Sequence, residues 1–220
     1  MEALDRYVSY LLEWNSKVNL ISRKDEDKIW KHHILHSVSL LLKVHLPMPS
    51  NIIDIGTGGG FPGIPLSILL PTCEFTLLDS IQKKIEAVGS MVKQLGLSNV
   101  NVVCGRAEQV ARDNQYQSKF DFAVTRSVAP LGDLLKWSKG FFKKVNTADI
   151  KINPEEWQKK LLEPIPPALL AFKGGDLREE VEKVNRFKVV RSVHTLKLAV
   201  DGYPELEASE KKIVILELTP

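Results

Sequence analysis

Apolar residues recur at helical spacing from the N-terminus, with Leu4, Val8, Leu11 and Leu12 on one face. A second such run covers 29–44 and follows Asp25-Glu26-Asp27, an acidic start that favours a helix N-terminus. Pro47 and Pro49 close this stretch, so 1–49 is predicted as an N-terminal helical cap. The period then changes. Short β-branched or apolar runs predict strands over 51–55, 74–78, 100–104, 120–125 and 168–172, and helical patterns fall at 65–70, 81–95 and 131–142. Strands alternating with helices imply right-handed crossovers and a largely parallel sheet. The last two runs, 189–198 and 212–218, also read as strands. Asp201-Gly202-Tyr203-Pro204 between them supplies turn residues without room for a crossover helix, so this pair is predicted to be antiparallel. The expected architecture over 50–220 is α/β, a mostly parallel seven-stranded sheet ending in an antiparallel hairpin. Within it, 146–167 carries Pro154, Pro164, Pro166 and Pro167 and reads as an excursion.

Composition narrows the class without deciding function. With 44% hydrophobic and 26% charged residues in 220, the chain has ordinary globular usage. Charges interrupt the apolar positions of residues 2–13, so neither a signal peptide nor a membrane span is expected there, and the protein is read as cytosolic. Cys73 and Cys104 are far apart and outside any CxxC pattern, which argues against disulfides and thiolate metal sites; both are read as buried small hydrophobes. A net charge of +3 is compatible with a polyanionic partner and far from the excess of a histone-like binder.

The sharpest chemical signal runs from Ile52 to Gly63, where an apolar strand feeds a glycine-rich turn and then a helix. Glycine permits φ values that side chains forbid, and a helix N-terminus presents free N–H groups, so such a turn suits a nucleotide-like cofactor. A dinucleotide site wants GxGxxG; here Gly56, Gly58 and Gly60 follow GxGxG behind Asp54. That spacing, with the terminal hairpin, counts against a nicotinamide dehydrogenase and favours S-adenosyl-L-methionine, whose ammonium would welcome Asp54. Asp79, ending the second strand, is placed to accept the hydroxyls of a ribose. Ala107 and Glu108 follow the third strand, where Glu108 either sits at the adenine end of a cofactor or begins a solvated helix. Arg126 follows the fourth, in Thr125-Arg126-Ser127, and either clamps a carboxylate or phosphate or pairs with an acid to fix a loop.

Taken together, Trp14-Asn15, Asn19-Leu20-Ile21-Ser22, His33-Ile34-Leu35, Ser37, the loop from Asp54 to Pro65, Leu77-Leu78-Asp79-Ser80, Arg106-Ala107-Glu108, Phe120-Asp121, Arg126 and Lys173-Gly174 resemble the bacterial 16S ribosomal RNA guanine-N7 methyltransferases, the GidB or RsmG family. The resemblance implies a Rossmann-like class I methyltransferase fold. It also implies cofactor contacts at Gly56, Phe61, Ala107, Glu108 and Arg126, and a substrate that is 16S ribosomal RNA or the small ribosomal subunit. Three departures stand out: His36 where the family usually has an acid, a cap that starts late, and a longer 146–167 stretch. Guanine N7 already holds a lone pair, so no general base is expected and Arg126 is assigned positioning alone. A small-molecule methyltransferase and a catalytically silent ribosome-associated protein remain alternative readings.

Candidate RNA contacts are Arg23 in the cap, His33, Lys173 after the fifth strand, which otherwise caps a helix or lies at the surface, and Lys136 with Lys139, which share with Lys143 a predicted helix face that otherwise reads as simply solvated. Lys24 extends the basic step at Arg23. His32 and His36 have the i, i+4 spacing of a metal pair but lack a third ligand, so no metal is expected. Trp14 is read as core rather than as a stacking platform. The protein is expected to be a monomer.

Overall fold

A computed structural model describes residues 1–126, 128–144, 161–199, 202–203 and 210–219. Its centre is a seven-stranded sheet: β1 (Asn51–Ile55), β2 (Glu74–Asp79), β3 (Val100–Cys104), β4 (Phe122–Arg126), β5 (Ala168–Lys173), β6 (Val190–Lys197) and β7 (Lys212–Leu218). The order is β3-β2-β1-β4-β5-β7-β6, with parallel pairing from β3 to β5 and antiparallel pairing of β7 to both β5 and β6. This is the α/β sheet with a terminal antiparallel pair that the hydrophobic pattern predicts. Of the predicted connector, Asp201 and Pro204 lie outside the described residues, as do Ser127 and most of 146–167.

Alternation along the strands sends side chains to two separate cores. Ile52, Phe122, Val124, Leu170 and Phe172 pack on one face, while Ile53, Ile55, Ala123, Leu169 and Ala171 pack on the other. The first face is covered by α1 (Glu2–Asn15), α3 (Gly63–Leu69) and α4 (Gln82–Leu95); the second by α5 (Ala107–Val110), α6 (Leu131–Ser138) and α7 (Arg178–Asn185). In α1, Leu4, Tyr7 and Leu11 form the buried stripe, and each aliphatic side chain so buried contributes about 1.5–3 kcal/mol. Gly96, at φ 70°, closes α4 in a left-handed cap. Residues 1–49 share a single core with the sheet, since Leu4, Leu11, Ile34 and Leu40 belong to the same cluster as Ile52 and Phe75.

Several expectations are corrected. The run over 29–44 is not one α-helix. It passes through a 3-10 turn (Arg23–Lys28), a π-helical segment (Trp30–Leu35), the short α2 (His36–Val38) and another 3-10 turn (Ser39–Leu42). The apolar anchors explain the widening: Ile29 and Ile34 are both buried and five residues apart, the repeat of a π turn. Ser37 and Ser39 also donate to the carbonyls of His33 and His36, competing with the regular ladder. Helix α6 ends at Ser138 rather than running to 142, so Lys136, Lys139 and Lys143 do not share a helical face; Lys143 binds Asp121 at 2.7 Å. Cys104 is exposed while Cys73 is buried. Strand β4 starts at Phe122, with Phe120 making only an isolated bridge to Phe142. Helix α7, whose charged sequence hides its few buried positions, has no counterpart in the predicted elements. Among the described residues no helix is long and apolar enough to cross a membrane.

Candidate active site

Strand order reverses at β1, whose chain continues to β2 on one side while β4 leads away on the other. Open α/β sheets bind ligands in the crevice this creates beyond the strands' carboxyl ends. The glycine turn leaves β1 there. Its backbone is pinned: Gly56 and Thr57 N–H donate to Leu78 O at 2.8 and 2.9 Å, and Gly60 and Phe61 N–H to Thr57 O at 2.8 Å. Gly58 has φ 59°, and a Cβ built on it meets nothing nearer than Gly56 O at 4.0 Å, so its outer side is open. Gly63 is glycine for the opposite reason, since a Cβ there would lie 2.2 Å from Leu77 and 2.7 Å from Asp54 Oδ2.

Two carboxylates hold this turn. Asp54 is fully buried; its Oδ2 accepts from Thr57 Oγ1 at 2.7 Å and Gly63 N–H at 2.9 Å, while Oδ1 is buried with no partner. Burial pushes its pKa up to about 7, against the lowering effect of those hydrogen bonds. Asp79 accepts from Gly58 N–H at 2.9 Å through Oδ2 and from Ile81 N–H at 3.0 Å through Oδ1. Each oxygen keeps a second lone pair for a ligand. Asp79 is paired with Cys104 in register, which brings the end of β3 and the α5 start beside it. There Ala107 is buried as the first residue of α5, whose N–H has no intrahelical partner by position, and Glu108 is exposed in the first turn.

Arg126 ends β4 and is enclosed by aromatic rings. Its guanidinium carbon lies 4.7 Å from the Phe61 ring centroid, its Nη2 lies 3.0 Å from His33 Nδ1, and its Nη1 donates to His33 O at 3.5 Å. Phe61 is buried between Tyr7 and His33, with ring centroids 5.4 and 5.0 Å away, so its side chain supports the turn from behind. Of the two alternatives for Arg126, pairing with an acid is not the one seen: among the described residues no carboxylate lies within ion-pair distance of it, and Asp54 acts on it only through space. The Tyr7 hydroxyl donates to Gly59 O at 2.8 Å, tying α1 to the turn.

The structure therefore brings Asp54, Gly56, Gly58, Phe61, Asp79, Ala107, Arg126 and His33 to one sheet edge. It disperses the basic residues. Arg23 is exposed and lines a cavity of about 710 Å³ with Asn15, Ser16, Lys17, Asn19 and Ser22, on the cap side. Lys136 on α6 and Lys139 just after its end are exposed, in the opposite layer, and Lys136 lies 3.2 Å from Asp133. Lys173 is committed inside the fold: 13% exposed, it pairs with Glu180 at 3.0 Å and donates to Ala129 O at 3.1 Å. His36 is buried, edge-on to Phe172, and His32 bonds Asp25 at 2.9 Å; among the described residues no metal-ligating group of three or more is found. Trp14 is half-buried against the first core and carries Lys17 over its ring at 5.2 Å.

Sequence reasoning missed Tyr7, Thr57 and Asp25. Tyr7 falls three residues after Leu4 and four before Leu11, so it shares the buried stripe, and a buried phenol needs a hydrogen-bond partner. Asp25 was legible only as a helix-start acid, whereas its carboxylate faces His32 and His33.

Comparison with known proteins agrees with this geometry. Residues 1–152 match the GidB family model, described as rRNA small subunit methyltransferase G. The ribosomal RNA small subunit methyltransferase G of Phocaeicola vulgatus is 41% identical over 172 residues, 78% of this chain and 72% of that protein. Its counterpart in Bacteroides fragilis is 36% identical over 207 residues, 94% of this chain and 87% of that protein. Among solved structures, a putative O-methyltransferase from Klebsiella pneumoniae gives a TM-score of 0.59 at 13% identity, covering 97% of this chain and 90% of its own. A SAM dependent methyltransferase from Aquifex aeolicus gives 0.57 at 14%, covering 91% and 100%. At such identities the likeness is one of fold, that of the class I methyltransferases. With the family model spanning the cap and the glycine turn, and relatives above 35% identity over most of the sequence, the chain belongs to the family of rRNA small subunit methyltransferase G, S-adenosylmethionine-dependent enzymes.

Proposed function

We propose that this protein methylates N7 of a guanine in 16S ribosomal RNA, as a cytoplasmic monomer acting on the RNA or on the small ribosomal subunit. The observation that carries the reading is the open, backbone-pinned turn at Gly58 with Asp79 behind it and Arg126 on the same sheet edge. The residues fit S-adenosylmethionine: Asp54 Oδ1 is a buried acceptor without a donor, and the Cβ direction of Gly58 is clear. Asp54, Gly56, Gly58, Phe61, Asp79, Ala107, Glu108 and Arg126 would hold it. When bound, the cofactor supplies an electrophilic methyl group on a sulfonium.

The chain's own residues have a limited task. Guanine N7 attacks with an existing lone pair, so no side chain need remove a proton. What remains is to hold N7 in line, exclude water, and tolerate the positive charge that develops on the base. Arg126 fits the first duty, because a planar guanidinium held over the Phe61 ring and against His33 is a fixed donor array. Among the exposed cations, Arg23, beside the polar cavity of the cap, and Lys136 on α6 with Lys139 just after it are the ones assigned to RNA phosphates. His33 and Lys173 are already engaged within the protein and would act on RNA only indirectly.

Incubation with methyl-labelled S-adenosylmethionine and small subunits or deproteinised 16S RNA, followed by borohydride and aniline scission, tests the reading. Label in RNA with cleavage at one guanine is expected. Label on a small metabolite, or on RNA without scission, would overturn it.

A further inference from the structure

Arg126 is held by a residue whose protonation state is fixed by chemistry. A guanidinium has donors only, so His33 Nδ1, 3.0 Å from Nη2, must present a lone pair to it. The imidazole is then neutral with its proton on Nε2. That nitrogen is buried without a hydrogen-bond partner, and the nearest acid is Asp25 Oδ2 at 3.9 Å. Asp25 is fixed in turn by its other oxygen, 2.9 Å from His32 Nδ1. A proton on Nε2 faces an anion and a lone pair on Nδ1 faces a cation, so the electrostatics select one tautomer. Burial, first, and the Arg126 charge, second, hold the His33 pKa down to about 4, with His32 and Lys211 acting the same way and Asp25 opposing; His36, the next histidine on this stretch, is likewise held neutral. The other donors of Arg126 have no protein acceptor among the described residues.

We propose that His33 is a positioning residue for methyl transfer. Accepting through Nδ1, it holds the Arg126 guanidinium over the Phe61 ring, so that the uncommitted N–H groups are presented to the reacting partners in a fixed orientation. The π-helical segment serves this purpose by bringing His33 over both Phe61 and Arg126. The inference rests on the methyltransferase reading above and adds a residue that acts through another, touching no reacting atom itself.

The direct test is the ¹⁵N resonance pattern of His33 in the ligand-free protein, assigned by comparison with His33→Asn. An unprotonated Nδ1 with a proton on Nε2 is expected; a proton on Nδ1, or a charged ring at neutral pH, would overturn the proposal. His33→Asn keeps an acceptor close to the Nδ1 position, whereas His33→Leu removes it at similar volume. Loss of a hydrogen bond to a charged group predicts a fall of about tenfold or more in kcat for His33→Leu, with His33→Asn restoring most of it. Equal kcat in the two variants would overturn the proposal. Should the leucine variant fail to fold, Asp25→Asn tests the same contact: the Nε2 tautomer should persist, because Arg126 still requires the Nδ1 lone pair, and a proton moved to Nδ1 would overturn the proposal. If the unmodified protein methylates no RNA, the functional reading falls; a wrong tautomer in an active enzyme sinks only the role of His33.

Discussion

The glycine turn after β1 and the arginine cluster after β4 lie at the same sheet edge but are held in different ways. The turn is fixed mainly by main-chain hydrogen bonds, to Leu78, Thr57 and the carboxylates of Asp54 and Asp79. The cluster is built from side chains of distant segments: Tyr7 and His33 from the cap, Phe61 from the turn, and Arg126 from β4. A main-chain cradle is rigid and indifferent to most side-chain changes, which suits a cofactor of constant shape. A side-chain cluster is tuned residue by residue and is the place for selectivity toward a particular substrate.

The largest effect is expected where the main-chain cradle is spoiled. Gly58→Asp puts an anion on the open side of the turn, at a φ that Asp tolerates, so the fold should persist while affinity for S-adenosylhomocysteine in calorimetry falls by about a hundredfold or more. Retained affinity would place the cofactor elsewhere. Next comes pH. The folded pKa of Asp54 is raised from 3.8 to about 7, so its stabilising contribution is complete below the unfolded value and is lost as pH rises from about 4 through 7. Denaturant melts of the ligand-free protein should show this decline, and Asp54→Asn should flatten it. A slope that survives the substitution would contradict the assignment.

A smaller change should follow at the junction of the two regions. Tyr7→Phe deletes the hydroxyl that binds Gly59 O and leaves a buried carbonyl short of a donor, costing about 1–3 kcal/mol of stability by thermal unfolding. No change in Tm would mean that the cap does not brace the turn. The smallest effects belong to the exposed cations. If Arg23 contacts phosphate, Arg23→Ala should reduce the slope of log affinity against log salt by about one, and Lys136→Ala should do so only if RNA also reaches the α6 layer. A reduction for Lys136 alone would move the RNA interface to the other face of the sheet.

The same contrast explains what was legible in the sequence. The strand, the glycines and Asp54 lie within twelve residues, and the local rules of turns and helix starts reach that far. The sheet was readable for the same reason, since each strand announces itself by its own apolar run. The first helix of the cap was equally readable, but its second half was not, because the spacing of five between Ile29 and Ile34 looks like an imperfect α pattern until the π turn is seen. Contacts across 93 residues, such as His33 with Arg126, leave no periodic trace. Lys173 illustrates the converse error: a lysine at a strand's carboxyl end looks free in sequence, and only the position of Glu180 on α7 shows what neutralises it.

On the proposed function, the turn leaving β1 cradles the adenosyl cofactor against Asp79. A crystal of the protein soaked with S-adenosylhomocysteine tests it most directly. The nucleoside should lie against Gly58, with its ribose hydroxyls on Asp79. An empty turn with the compound bound elsewhere, in a protein that still methylates RNA, would contradict it.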